Sequence, residues 1–130
     1  MHDFIVITGT RHWSAAASQE ITNIAVEIGD DYDGCIIHGG ATGVDTYAQR
    51  QWKQLCWPIP APWWLKEHGA SYREWGTIRN GAIEGAVAEL LRRGKSGMCF
   101  AVPSAKSSGT WDCIKRMKRL GVTVDVRRVP

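Results

Sequence analysis

The chain has 130 residues, a mean hydropathy of −0.24 and a formal net charge of +3 at pH 7. This length fits one domain over residues 1–130, and a hydrophobic fraction of 44% is enough for a core of that size. No apolar run approaches the roughly 20 residues of a membrane span, and the first residues do not resemble a signal peptide. Four cysteines without a CxxC pair indicate reduced thiols rather than a zinc site. We therefore expect a cytoplasmic domain with no membrane partner and no metal.

Short apolar runs alternate with helical repeats along the chain. Phe4–Ile7 predicts a first strand, and Ser14 is placed to be the N-cap of the helix that follows. Further strands are predicted at 35–37, 57–61, 98–102 and 122–126. Further helices are predicted at about 44–55, 78–91 and 108–121, with a loop over 62–76.

This alternation predicts an α/β fold, a Rossmann-like three-layer sandwich whose parallel five-stranded sheet has the order 3-2-1-4-5 and helices on both faces. The strand order reverses between the first and fourth strands. Ligands of open α/β sheets bind at such a reversal, beyond the carboxyl ends of the strands. The loops at 8–11 and 103–110 should therefore face each other across one crevice, with residues 39–43 on its flank.

Three loops at this edge carry residues suited to binding an anion. They contribute Gly9, Thr10 and Arg11, then His38, Gly39, Gly40, Gly43 and Asp45, and finally Ser108, Gly109 and Thr110. Arg11 offers a forked cation for a phosphate, and the second and third loops each open a helix whose N–H groups attract anions. One glycine-rich turn is more often only a turn, but three at one reversal point predict a ligand site.

Other residues near the crevice have a structural explanation beside a functional one. Arg79 and Asn80 are predicted in the first turn of the long helix, where Arg79 can pair with a carboxylate such as Asp45 or reach a ligand phosphate. Asp112, predicted in the first turn of the last helix, suits the helix dipole and can equally lie near a ribose. A lone histidine such as His38 is more often a hydrogen-bonded structural residue than a catalyst.

Taken together, these loops resemble the YspA-related branch of the SLOG superfamily. The specific part is the segment HGGATGVD at 38–45 with Arg79-Asn80 downstream, and the resemblance runs over nearly the whole chain. It implies a Rossmann-like fold that binds nucleotides or nucleotide-derived signals and pairs as a homodimer. The superfamily also includes the Lonely Guy phosphoribohydrolases, which release a base from a nucleoside monophosphate, and DprA-type proteins, which bind single-stranded DNA.

The hydrolases of this superfamily carry a PGGxGTxxE motif that binds phosphate and supplies a glutamate. Here Gly109-Thr110 matches the GT, Arg79 is similar to the arginine that assists, and Asp112 stands where the first acidic residue would fall. The PGG is replaced by the sequence PSA at 103–105, and aspartate is one methylene shorter than glutamate. Hydrolysis depends on a carboxylate within hydrogen-bond reach of its proton, whereas binding through backbone N–H groups tolerates such changes.

Three classes of function therefore remain open, and none calls for a cofactor. A nucleotide-binding or sensing module needs only the three loops with Arg11 or Arg79. An enzyme that cleaves an N-glycosidic bond also needs Asp112 as the general acid/base or ribose anchor. Single-stranded nucleic-acid binding would use the basic residues late in the chain with nearby tryptophans as stacking surfaces, although such residues also suit an ordinary solvated helix face.

Overall fold

The computed structural model describes residues 2–10, 14–29, 34–38 and 72–130, without the side chains of 72–75. The elements of these residues are, in chain order, β1 (Phe4–Gly9), α1 (Ala15–Ile28), β2 (Cys35–Ile37), α2 (Tyr72–Arg92), β3 (Gly97–Val102), α3 (Ser108–Arg119) and β4 (Thr123–Val126). No helix of these ranges is both long and apolar enough to cross a membrane.

The four described strands form one parallel sheet in the order β2-β1-β3-β4. β1 pairs with β3 along its whole length, from Phe4 beside Gly97 to Gly9 beside Val102, and its first half pairs with β2. The parallel α/β architecture and the reversal between β1 and β3 are therefore confirmed. The predicted strand at 57–61 and helix at about 44–55 lie outside the described residues, so the five-strand order stays a prediction.

Helices cover both faces of this sheet. Because successive strand side chains point to opposite faces, Ile5 and Ile7 of β1 join one core cluster, and Phe4 and Val6 join the other. The first cluster is completed mainly by α1, and the second by α2 and α3. The sheet therefore lies between two buried apolar layers, and its carboxyl edge is left to the loops.

Both ends of α1 follow from local sequence chemistry. The Ser14 Oγ accepts the Ala17 N–H at 3.1 Å, which supplies a partner for one N–H group that the first turn leaves unsatisfied. The helix stops at Gly29, whose φ of 84° lies in the left-handed region that favours glycine. The predicted N-cap is confirmed.

The long helix α2 is longer than the sequence predicts. It begins at Tyr72 rather than near Ile78, so the last five residues of the predicted loop, 72–76, are helical. The aliphatic repeat that marks the helix starts at Ile78, although the aromatic residues Tyr72 and Trp75 precede it at the same three-residue spacing. Arg73 and Glu74 are good helix formers that extend it without adding to its apolar stripe.

Candidate functional site

The loops after β1 and β3 meet at the carboxyl edge of the sheet. The backbone N–H of Thr10 donates to the Val102 carbonyl oxygen at 2.9 Å, and its Oγ1 lies 3.2 Å from the Oγ of Ser104. The structure thus brings these two loops together, as the strand order predicts. Arg11 and the flanking loop at 39–43 lie outside the described residues.

A line of three hydroxyl groups holds the chain that leads into α3. The Ser104 Oγ, next to Thr10, is 2.8 Å from the Oγ of Ser107, and that Oγ also accepts the Ser104 N–H at 2.9 Å. In return, the Ser107 N–H donates to the Ser104 carbonyl at 3.2 Å. These reciprocal bonds close a tight turn, and they leave Ser107 without a side-chain hydrogen bond to the first turn of α3.

The helix α3 begins with residues that are exposed to solvent. The first N–H groups of a helix have no acceptor within the helix, and they carry the positive end of its dipole. Ser108 and Gly109 are exposed, whereas Thr110 is 5% exposed. A Cβ built on Gly109 meets nothing within 4 Å, so a ligand has room to approach its backbone.

Asn80 lies on α2 and reaches this turn of α3 from the side. Its Nδ2 donates to the Gly109 carbonyl at 2.8 Å and to the Asp112 Oδ2 at 3.0 Å. The placement of Arg79 and Asn80 in the first turn of their helix is wrong, because α2 begins at Tyr72 and both residues are two turns further on. The helix dipole therefore has little influence on Arg79.

Asp112 lies beyond the first turn of α3, which holds no acidic residue, so its predicted place there is also wrong. Besides the Asn80 bond, its Oδ2 accepts from the Arg116 Nε at 3.0 Å. Partial burial raises the pKa of Asp112, but the hydrogen bonds and the positive charge of Arg116 outweigh it and hold the pKa below its usual range. Asp112 is a carboxylate at neutral pH, which suits an acceptor and does not suit a general acid.

Arg116 continues this network back to α2. Its Nη1 donates to the Glu84 Oε1 at 2.9 Å, and Glu84 also accepts from Arg119 at 3.4 Å. We call Asn80, Glu84, Asp112 and Arg116 the α2–α3 polar seam. Sequence reasoning missed Glu84 and Arg116, although each lies four residues after its seam neighbour on the same helix, a spacing that places both on one face.

Arg79 and His38 are both buried near this edge. Arg79 is 7% exposed and interacts with other groups of the protein. His38 follows β2 and is 2% exposed, and its burial lowers its pKa, so the imidazole is neutral at neutral pH. The four other predicted site residues of the second loop, Gly39, Gly40, Gly43 and Asp45, lie outside the described residues. In the described ranges no group of three His, Cys, Asp or Glu is placed to hold a metal.

Most of the arginines late in the chain form ion pairs within the protein. They pair with carboxylates as follows: Arg92 and Arg93 with Glu89, Arg116 and Arg119 with Glu84, and Arg127 with Glu27 and Asp125. Arg128 instead lies over the Trp111 ring, 4.9 Å from its centroid. Five arginines of this part of the chain therefore have carboxylate partners within the protein.

The sequence of the chain is similar to that of a phage protein. No family model matches the chain, and no solved structure matches it. The chain is similar to "Gene 61 protein" of Mycobacterium phage D29, with 26% identity over an alignment of 133 positions. The alignment covers 92% of each chain. The similarity therefore extends over nearly the full length of both proteins.

Proposed function

We propose that this protein binds a nucleotide, or a ligand derived from one, at the carboxyl edge of its sheet where β1 and β3 diverge. The observation that carries the proposal is the contact of Thr10 with Ser104, which joins the loop after β1 to the loop that opens α3. In open parallel sheets this reversal point forms the crevice that holds the ligand.

The first turn of α3 is the part of this site proposed to bind the phosphate. Ser108 and Gly109 are exposed there, and the N–H groups of such a turn favour an anion. Gly9 at the end of β1, Arg11 and the glycine-rich loop at 39–43 are proposed to complete the site. The resemblance to the SLOG superfamily supports this class of ligand, and it also supports a homodimer.

The ionised state of Asp112 argues against one role in hydrolysis, that of a general acid. Its lowered pKa keeps it ionised, and both of its described hydrogen bonds come from the protein's own Asn80 and Arg116. A general acid has to hold a proton near neutral pH, so this carboxylate suits a ribose anchor better than an acid. Incubation with AMP, GMP or CMP and detection of the free base tests the remaining hydrolase alternative.

Thermal unfolding with a panel of ligands tests the proposal. The panel is AMP, GMP, CMP, cyclic nucleotides, ADP-ribose, NAD and a short single-stranded oligonucleotide. A ligand at one hundred times its dissociation constant adds about 2.7 kcal/mol to the free energy of unfolding. In a domain of this size we expect the midpoint to rise by about 10 °C with at least one nucleotide. A shift with the oligonucleotide alone, which weakens steeply with salt, contradicts the proposal.

Gly109→Asp tests whether the phosphate lies at α3. The position has open space and no positive φ, and a carboxylate in the first turn suits the helix dipole, so the variant should fold as the wild type does. The same carboxylate repels an anionic ligand, and we expect at least a tenfold loss of affinity for the nucleotides that stabilise the wild type. Asn23→Asp makes the same charge change on the exposed face of α1 and should bind normally. Equal binding by Gly109→Asp would exclude α3 from the phosphate site.

A further inference from the structure

We infer that Asn80 is a positioning residue, which fixes the first turn of α3 and makes no contact with the ligand. The sequence places Asn80 among the residues that bind the ligand, and the geometry assigns it a different task. The consequence for ligand affinity rests on the proposed function, whereas the effect on the first turn of α3 does not.

The donors of Asn80 are fully used within the protein. A side-chain amide nitrogen carries two N–H donors. One bond from Nδ2 reaches the Gly109 carbonyl at 2.8 Å, and the other reaches the Asp112 carboxylate at 3.0 Å. The residue is 8% exposed. A ligand can therefore take a hydrogen bond from this nitrogen only if one of the bonds to α3 breaks.

The two acceptors lie on one side of α3, in its first and second turns. Gly109 and Asp112 are three residues apart, a spacing that places neighbours on the same helix face. A single side chain of α2 that holds both sets the rotation of this turn about the helix axis. The rotation determines where the N–H groups of Ser108 and Gly109 point, and these are the groups that the proposed phosphate site uses.

The first turn of α3 depends on this hold because it lacks a side-chain cap. The Oγ of Ser107, which would otherwise accept an N–H of the turn, accepts the N–H of Ser104 instead. Further along α3, Arg116 joins Asp112 to Glu84, and Glu84 lies one helical turn from Asn80 on α2. Asp112 is thus held from two sides, by Asn80 of α2 and by Arg116 of its own helix.

Backbone ¹⁵N relaxation on the ligand-free full chain tests the inference. Asn80→Leu keeps a side chain of similar size and removes both hydrogen bonds. We expect the order parameters of residues 108–111 to fall from about 0.85 toward 0.6, while those of 115–119 stay unchanged. Glu84→Gln is the matched control, because it weakens the ion pairs between α2 and α3 without touching Gly109 or Asp112. Its residues 108–111 should keep the wild-type order.

Titration of the same variants with each nucleotide of the panel separates this inference from the proposed function. Loss of order together with an affinity loss of about tenfold in Asn80→Leu supports both. Loss of order when no nucleotide binds the wild type supports the positioning role and refutes the proposed function. Wild-type order at 108–111 overturns the inference, and wild-type order with abolished binding shows that Asn80 contacts the ligand.

Asn80→Asp provides a second variant that changes almost no volume. It removes the donors and sets a second carboxylate opposite Asp112, and the repulsion between the two negative charges raises the pKa of the pair. Because the folded state then binds more protons than the unfolded state, the stability lost by the variant should return as the pH falls through the pKa of the pair. The order of residues 108–111 should return with it, since a protonated carboxyl donates again. Order that does not respond to pH contradicts the inference.

Discussion

Gly97 lies directly beside Phe4 at the start of β3. Its Cα is paired with that of Phe4, and a Cβ built there falls 2.6 Å from both Cδ atoms of the Phe4 ring and against the Phe4 carbonyl oxygen. Phe4 is fully buried in the core under α2 and α3. Its ring therefore cannot move away from Gly97 without displacing other core side chains. The start of β3 therefore requires glycine because of a contact, and not because of its backbone angles.

We expect Gly97→Ala to lower the free energy of unfolding by about 2 kcal/mol, since overpacking a filled core forces neighbouring groups to move. Urea unfolding followed by circular dichroism measures the change. Gly85→Ala is the matched control, because its Cβ meets nothing within 4 Å and the exchange within a helix stabilises by about 0.5–1 kcal/mol. Equal stability of the Gly97→Ala variant and the wild type would show that the strands can separate at this point.

The functional residues show how far single positions can be interpreted from sequence. The sequence predicts Asn80 and Asp112 beside the crevice. In the structure Asp112 lies in the second turn of α3, and Asn80 donates hydrogen bonds to it and to the Gly109 carbonyl. Each of them has a protein partner about 30 residues away that the sequence alone does not reveal. The residue types reveal a hydrogen-bonding capacity, and only the packed neighbours decide whether a ligand or the protein uses it.

Among the elements, α1 has the clearest local determinants. Ser14 caps its start, and Gly29 ends it in a left-handed conformation, so both boundaries follow from residues that lie outside the helix. The start of α2 has a signal of the same kind in the sequence, Ser71 followed three residues later by Glu74, but its aliphatic repeat begins only at Ile78. A prediction based on aliphatic periodicity alone therefore places the start of α2 too late.

We expect Ser14→Ala to lower the free energy of unfolding by about 1 kcal/mol, because the Ala17 N–H loses its acceptor. Ser14→Asp should keep the stability of the wild type, since aspartate also accepts this bond and its charge suits the helix N-terminus. Thermal and urea unfolding of the three proteins measure the effect. A loss as large in Ser14→Asp as in Ser14→Ala would mean that the contribution of Ser14 is not that of a cap.

At the scale of the whole molecule, Arg127 joins the first helix to the last strand. Its Nη2 donates to both carboxylate oxygens of Glu27 at 2.7 Å and to Asp125 at 3.0 Å, and its guanidinium lies 5.4 Å from the Phe100 ring centroid. The hydrogen bond to Asp125 is the main cause that raises the pKa of Arg127, and partial burial opposes it. Glu27 and Arg127 are 100 residues apart, so this contact exists only in the folded chain.

We expect Arg127→Met to lower the free energy of unfolding by about 1–2 kcal/mol, because the side chain is 14% exposed and its removal leaves three carboxylates, Glu20, Glu27 and Asp125, without this partner. A double-mutant cycle with Glu27→Gln should give a coupling of about 1 kcal/mol, limited by the exposure of Glu27. Arg93→Met, which breaks an exposed pair with Glu89 just beyond the end of α2, is the control and should cost less than about 0.5 kcal/mol. Equal losses in the two arginine variants would contradict a linking role for Arg127.

The sequence by itself determined the four described strands, the helices between them and the parallel sheet that reverses between β1 and β3. Local periodicity carries this information, because a buried strand and a one-sided helix each impose a repeat on neighbouring residues. Tertiary structure alone decided that Asn80 holds Gly109 and Asp112, and that Arg116 reaches Glu84. Those contacts depend on how α2 and α3 are rotated against each other when they bury their apolar faces, and spacing along one helix does not specify the rotation of another.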